Sequence, residues 1–347
     1  MRVLIVKPSS LGDVVSALAV VPRLRQVLPG CTVDWLVNRE YAPLVAAAGV
    51  DHVIVFDRGS WRRWQGVLAG MRNLISVTRA VRRGTYDVVI DLQGLLRSGW
   101  FTWISGAARR IGFADAREGA ALVYTERVSV ARHAMHAVDC CMAVLRVLGD
   151  EQSGPAQWEW PGLEHAVREA QAKTGLAPGG YVVLAPGTRR REKRWPAAAW
   201  GALAGQLWQR YHLPAAIIGA ENERELAAQI AAEAGKNGAA PGVVHLLAGA
   251  LSLLEVLGLS RASRLVIGCD SGALHAAVAA GARVVALMGP THPERHGPYG
   301  QRGHVVMAPE ACAPCHGGRR KCGAAPRCMD AISVDMVMNK VHEVMEQ

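Results

Sequence analysis

MRVLIVKPSSLGDVVSAL, residues 1–18, runs from an uninterrupted apolar segment through two serines, a glycine and an aspartate into a helical pattern. Val, Leu, Ile and Val between Arg2 and Lys7 read as a strand buried on both faces, the signature of a parallel sheet. From Val14 onward the spacing is helical, so PSSLGD at 8–13 is a strand-to-helix turn of the kind that borders the ligand crevice of open α/β sheets. Two readings of this turn stand side by side. Ser10 and Asp13 have the spacing of a capping box, and Asp13 also has the chemistry of a general base.

Beyond this turn the alternation continues. Strand patterns fall near 2–7, 32–38, 52–57, 86–92, 108–113 and 126–131, with helical patterns between them. DEQSGPAQWEWPG at 150–162 breaks the rhythm as a linker. The pattern then restarts with YVVLAPG, PAAIIGA, VVHLL, RLVIG and RVVALMG. A chain of 347 residues exceeds what one core holds. The expectation is an α/β protein of two tandem Rossmann-like, doubly wound domains with an active-site cleft between them. The domains are placed at 1–160 and 161–330, with a Cys-rich knuckle at 312–328, followed by a C-terminal helix at 331–347 expected to rest near the linker.

Half of the residues are hydrophobic, yet no stretch has the length of a membrane span and the opening apolar run is too short for a signal peptide, so the expected compartment is the cytoplasm. Cys31, Cys140, Cys141 and Cys269 sit in apolar segments, as reduced core cysteines do. The net charge of +10 is uneven: residues 1–150 carry 19 Lys and Arg against 12 Asp and Glu, or +7, and the remainder 20 against 17, or +3. No helix-turn-helix, zinc-finger or RNP pattern accompanies the charge, so nucleic acid is not the expected partner. An anionic substrate or membrane face suits it better.

Tandem Rossmann-like domains serve dehydrogenases, binding proteins, epimerases and glycosyltransferases. Neither domain's first strand leads into G-x-G-x-x-G, which weakens the dehydrogenase reading, and a periplasmic binding protein would need a leader. Residues 266–300 hold the most informative run, in which Asp270, Ser271 and Gly272 open a small-residue helix that closes at Gly281. A helix start without bulky side chains lets a diphosphate reach free amides, although a capped helix and a core His275 account for the same letters. Five cations among Arg189–Arg194, after the second domain's first strand, suggest a phosphate clamp. In GAENERE, Glu221 and Glu223 both qualify as a ribose contact.

PSSLGD, DLQG at 91–94, PGTRRREKRWP at 186–196, GAENE at 219–223 and CDSGALHAAVAAG at 269–281, followed by GPTHPERHGPYG, together resemble glycosyltransferase family nine, the lipopolysaccharide heptosyltransferases. The resemblance implies a GT-B enzyme moving heptose from ADP-heptose to an anionic sugar (Kdo or heptose) of the inner core, with inversion and no catalytic metal or cofactor. It implies Asp13 as base and Lys193 as the cation on the leaving diphosphate. Thr188, Lys193, Glu223, Asp270, Ser271, Gly272, Leu274 and His275 match donor contacts. Ser9, Ser10, Arg62, Arg63 and Arg117 are similar to acceptor-side positions. WRRW at 61–64 is most similar to members that add the first heptose to Kdo. Two other readings fit the same architecture: a non-catalytic ADP-sugar sensor and a sugar-nucleotide epimerase.

Two features stand apart from the transfer chemistry. Cys312, Cys315, Cys322 and Cys328 have the spacing of a four-thiolate knuckle, for which a structural zinc or iron ion is expected, with His316 as a spare ligand and reduced thiols or disulfides as the alternatives. GLLRSGWFTWISGAARR at 94–110 mixes Trp100, Phe101 and Trp103 with Arg97, Arg109 and Arg110. It reads either as a buried helix with polar ends or as a patch for the inner membrane surface, where a lipid-linked acceptor would be met.

Overall fold

The computed structural model describes residues 1–57, 67–132, 134–152, 154–315 and 328–346. The chain forms two compact units, Met1–Gly162 and Leu163–Gln347, and each contains one six-stranded parallel sheet. In the first unit, β1 (Arg2–Val6), β2 (Thr32–Asn38), β3 (His52–Phe56), β4 (Val88–Asp91), β5 (Arg109–Phe113) and β6 (Glu126–Val128) lie in the order β3-β2-β1-β4-β5-β6. The order reverses beside β1, so the crevice of this sheet opens between the carboxyl ends of β1 and β4. Ile5 is paired with both Trp35 and Ile90, and β1 is buried because both neighbours and both helical layers cover it.

α1 (Leu11–Leu18) and α2 (Val20–Val27) would be one helix but for Pro22, which has no N–H for the Leu18 carbonyl; the break falls at Ala19. α3 (Ala42–Ala47) follows β2. Right-handed crossovers place α4 (Val67–Arg83) and α5 (Leu96–Ile104), which follow β3 and β4, together on the opposite face. Beneath them Leu4, Val6, Leu36 and Val89 meet Val77, Val81 and Phe101. Each large apolar side chain buried in this way contributes about 1.5–3 kcal/mol. α6 (Ala137–Met142) packs on α1. The 150–162 segment is fastened to the first unit: Trp158 Nε1 donates to the Val15 carbonyl at 2.7 Å, and Arg23 lies 3.7 Å from Asp150 and donates to the Gly154 carbonyl at 3.4 Å.

The second unit begins with α7 (Leu163–Thr174). Its strands β7 (Val182–Ala185), β8 (Ala215–Ile217), β9 (Val244–Leu246), β10 (Leu265–Cys269), β11 (Val284–Met288) and β12 (Val305–Met307) take the order β12-β11-β10-β7-β8-β9. Read from the other edge, this is the order of the first sheet, so β7 corresponds to β1 and β10 to β4. α8 (Ala197–Tyr211) and α9 (Arg224–Lys236) cover one face, and α7, α10 (Leu253–Ala262) and α11 (Gly272–Ala279) the other. α12 (Pro293–His296) is a single turn after β11. Gly281 closes α11 at φ +80°, with the Ala282 amide on the Ala277 carbonyl at 3.0 Å, as a helix-ending glycine should.

Two elements differ from the sequence reading. β12 is too short for its pattern to register, and it joins the sheet because β11 offers it an edge. The closing helix, α13 (Val334–Glu346), was expected near the linker but packs on α8, β11 and β12. Val337, Val341 and Val344 make it part of the second unit's core.

Candidate active site

In the first unit the chemistry gathers at the carboxyl ends of β1 and β4. Asp13, one turn into α1, is exposed, and its Oδ2 accepts from the Ser10 amide at 3.0 Å and the Ser10 hydroxyl at 2.7 Å. Half of the capping box is therefore present, because the carboxylate returns to the N-cap amide while the Ser10 hydroxyl turns onto the carboxylate. Both donors are neutral, and the helix start favours the ionised acid. Lys7, buried at the end of β1, donates from Nζ to the Leu92 carbonyl at 2.9 Å.

The DLQG loop is built around Asp91. Its Oδ1 accepts from the Gln93 and Gly94 amides at 2.9 and 3.0 Å, and its Oδ2 from the Tyr124 hydroxyl at 2.7 Å. Complete burial pushes this carboxyl up against the pull of those neutral donors. Ser9 reaches the loop through its amide, 3.4 Å from Gln93 Oε1, and Arg117 through its amide on the Gly94 carbonyl at 2.9 Å, leaving the Arg117 side chain exposed. Ser9 and Arg117 therefore both meet the 91–94 loop, while Ser10 and Asp13 lie on the turn that continues from Ser9. Arg62 and Arg63 lie outside the described residues.

The second unit assembles the phosphate-binding candidates. Lys193 Nζ lies 2.6 Å from Asp270 Oδ2, and His275 Nε2 lies 3.3 Å from Asp270 Oδ1. Burial would raise the Asp270 carboxyl, but the hydrogen bond and charge of His275, with Lys193, outweigh it and hold the acid well below its ordinary range. Ser271 caps α11 by accepting from the Leu274 amide at 3.4 Å, and Gly272 at the first helical position keeps that end clear. Leu274 itself is buried beneath the helix.

Of the five cations in RRREKR, Lys193 is drawn into the buried pair and Arg194 folds back, donating to the Thr188 carbonyl from Nε at 3.3 Å and Nη2 at 3.1 Å. Arg190 holds Glu192 at 2.6 Å. The run is neither a plain solvated loop nor a clamp of five cations. Thr188 is buried, its hydroxyl on the Arg190 carbonyl at 2.7 Å. The Glu223 carboxylate lies over Gly187, where any Cβ would collide with it, and it accepts from the Ala220 amide at 2.8 Å. Glu221 is exposed and pairs with Arg224 at 2.8 Å. Glu223 is thus the carboxylate that borders the turn after β7.

Three groups had no role in the sequence reading. His296 is held as a neutral imidazole, pushed down to about 4 by burial, with Asp270 opposing and Arg295, His275 and Lys193 assisting. Thr291, just past β11, has a buried hydroxyl with no hydrogen-bond partner among the described residues. Both belong to GPTHPERHGPYG, whose place beside β10 was the available signal. Tyr124, the partner of Asp91, carried none, being distant in sequence.

Among the described residues, the cysteines of the expected knuckle are not gathered at one point. Cys312 is exposed and Cys315 half-buried, whereas Cys328 is a core residue close under Gly289. Among the described residues, no three of His, Cys, Asp or Glu are gathered where an ion could sit, so these three cysteines form no common ligand set. Cys322 and His316 lie outside the described residues. The 94–110 segment is not a buried helix: Phe101 is enclosed while Trp100 and Trp103 face outward. Arg109 and Arg110 belong to β5 and are spent elsewhere, Arg109 on Glu126 at 2.7 Å and Arg110 on the Val123 carbonyl at 2.7 Å.

Known proteins carry the same organisation. The profile of glycosyltransferase family 9 (heptosyltransferase) matches residues 74–324. Lipopolysaccharide heptosyltransferase 1 of Pseudomonas aeruginosa is 31% identical over 320 residues, covering 91% of this chain and 86% of that protein. The E. coli heptosyltransferase WaaC with ADP superposes with a TM-score of 0.81 at 26% identity, covering 99% of this chain and 100% of that one. WaaC with ADP-2-deoxy-2-fluoro heptose gives a TM-score of 0.77 at 25% identity over 99% of each chain.

Proposed function

This chain belongs to glycosyltransferase family 9, and from that premise we propose that it moves a heptose from ADP-heptose to an anionic, lipid-linked acceptor sugar of the lipopolysaccharide inner core. The observation that carries the reading is the Lys193–Asp270–His275 cluster at the start of α11, where a buried carboxylate holds one cation ready at a helix N-terminus. A nucleoside diphosphate fits that site, since the helix start and the ammonium both favour negative charge.

The acceptor hydroxyl attacks the anomeric carbon and Asp13 takes its proton. The bond from that carbon to the diphosphate oxygen breaks with inversion, and ADP leaves with the electron pair. An ammonium has three donors, so Lys193 can keep Asp270 and still meet the departing phosphate. The amides of the first turn of α11 share that load. Thr188 and Glu223 line the same turn, with Glu223 suited to a ribose diol. Ser9, Ser10 and Arg117 are assigned to the acceptor side. The reading calls on no catalytic cofactor, and undiminished turnover in a chelator is its expected result. A zinc or iron ion on the cysteines has no support from the described geometry.

Incubation with ADP-heptose, with and without a Kdo-terminated lipid A acceptor, tests the assignment through ADP release and product mass. Acceptor-dependent release is expected. Donor binding without release would make the protein a sensor, and a changed sugar epimer would make it an epimerase.

A further inference from the structure

The outer layer of the first unit is unusual in what it shows to solvent. On α5 the residues Leu96, Trp100 and Trp103 recur at one-turn spacing and are 64%, 46% and 55% exposed, while Phe101 and Thr102 on the other side are enclosed. The two indoles touch, with centroids 5.5 Å apart. Leu122, 80% exposed, lies on the 3₁₀ turn Ala120–Val123, whose Ala120 packs so closely on α5 that a Cβ at Gly99 would lie 3.2 Å away. α4, which lies beside α5 on the same layer, exposes Met71 and Ile75 among Arg72, Arg79, Arg82 and Arg83. Arg72, Arg79 and Arg83 line one recess with Ile75 and Ser76.

We infer that this α4–α5 face docks on an anionic lipid bilayer, its indoles and aliphatic side chains entering the headgroup boundary while its arginines meet lipid phosphates. The chemistry selects the occupant. Exposed indoles suit a boundary that is apolar on one side and wet on the other. Counting Arg97, the face carries five arginines, and neither helix contains a carboxylate. Bordering acids are occupied: Glu118 accepts from the Leu96 amide at 3.1 Å, and Asp57 pairs with Arg39 at 3.0 Å. A second copy of the chain would set arginines against arginines, whereas an anionic surface complements them. No helix among the described residues is long and apolar enough to cross a membrane, so the contact is one that lies on the surface. The inference rests on the proposed function only for why a lipid surface is near.

Flotation of the full chain with phosphatidylcholine vesicles, with and without about 30% phosphatidylglycerol, reads this directly, with indole emission as a second signal. The parent is expected to bind the anionic vesicles at least about 10-fold more tightly and to lose most of that preference between 0.1 M and 0.5 M salt, as screened headgroup contacts do. The exposed double variant W100S/W103S and the triple variant R72Q/R79Q/R83Q should each lose about 10-fold in vesicle affinity, with ADP binding and melting unchanged. Equal binding to neutral and anionic vesicles, no binding at low salt, or variants that bind like the parent would overturn the inference. So would sedimentation showing a dimer that requires the two tryptophans. Transfer to a deacylated, water-soluble acceptor separates the two proposals: if it persists without vesicle binding, the docking face alone is wrong, and if vesicle binding persists without it, the transferase reading is.

Discussion

Asp91 and Asp270 occupy matching places in the two sheets, at the carboxyl ends of β4 and β10, each beside its unit's first strand. Both are buried, and their surroundings are opposite. Asp91 is met by two amides and a tyrosine hydroxyl, all neutral, and burial raises its pKa. Asp270 is met by an ammonium and an imidazole, and it stays ionised. One topology has produced a clip that shapes a loop and a buried charge that holds a cation. Topology thus supplies the position, and the donors that meet a carboxylate set its role. Asp13, which is exposed and accepts from the Ser10 amide and hydroxyl, is the carboxylate to which the proposed function gives the base.

The largest effect is expected at Asp13. Asp13→Asn keeps an oxygen for the Ser10 amide, so melting and ADP affinity should hold while turnover falls about 100-fold or more. If Asp270→Asn abolishes turnover with donor affinity intact and Asp13→Asn does not, the contrast has been assigned the wrong way round. Next comes Lys193→Met, which leaves the buried Asp270 with His275 alone; calorimetry should show ADP binding weakened by about 1.5–3 kcal/mol.

The two buried acids should also pull stability in opposite directions with pH. Asp270, with its folded pKa depressed, adds stability that is present above its unfolded value and disappears as pH falls below about 4. Asp91, with its folded pKa raised, adds stability that is complete below that value and is lost as pH rises through the folded pKa. Urea titrations across pH should therefore show the gap between parent and Asp270→Asn closing in acid, and that between parent and Asp91→Asn closing as pH rises. His296, pushed down to about 4, adds a slope in a different window, since stability falls between pH 6.5 and that value as the unfolded imidazole takes up its proton. His296→Gln should flatten that window. The smallest expected change is at Glu221: Glu221→Ala leaves ADP affinity within a factor of about two, as exposed pairs usually do, whereas Glu223→Ala weakens it measurably.

Much of this was legible in local patterns. Ser10, Asp13, Ser271 and Gly281 could be placed because caps and helix ends are written within a few residues. By residue type GAENE left Glu221 and Glu223 equivalent and only the family resemblance favoured Glu223, whereas the fold sets them apart by laying Glu223 over Gly187. RRREKR read as one block of charge, but the fold used its members differently because Lys193 alone reaches Asp270. The cysteine spacing suggested a shared ion, for which the described residues give no support, and Cys328 lies in a core.

The amino-acid order alone was enough for the alternation of strand and helix, the parallel sheets, the break at 150–162 and the turns at which chemistry is placed, because each follows from apolar period or cap chemistry within a dozen residues. Which acid is paired with a cation, which with a hydroxyl, and which helix faces are left uncovered came from contacts between distant segments: Lys193 with Asp270, Tyr124 with Asp91, α4 beside α5. Charge state and burial depend on every group that surrounds a side chain in space, and that neighbourhood exists only after the sheets have brought those segments together.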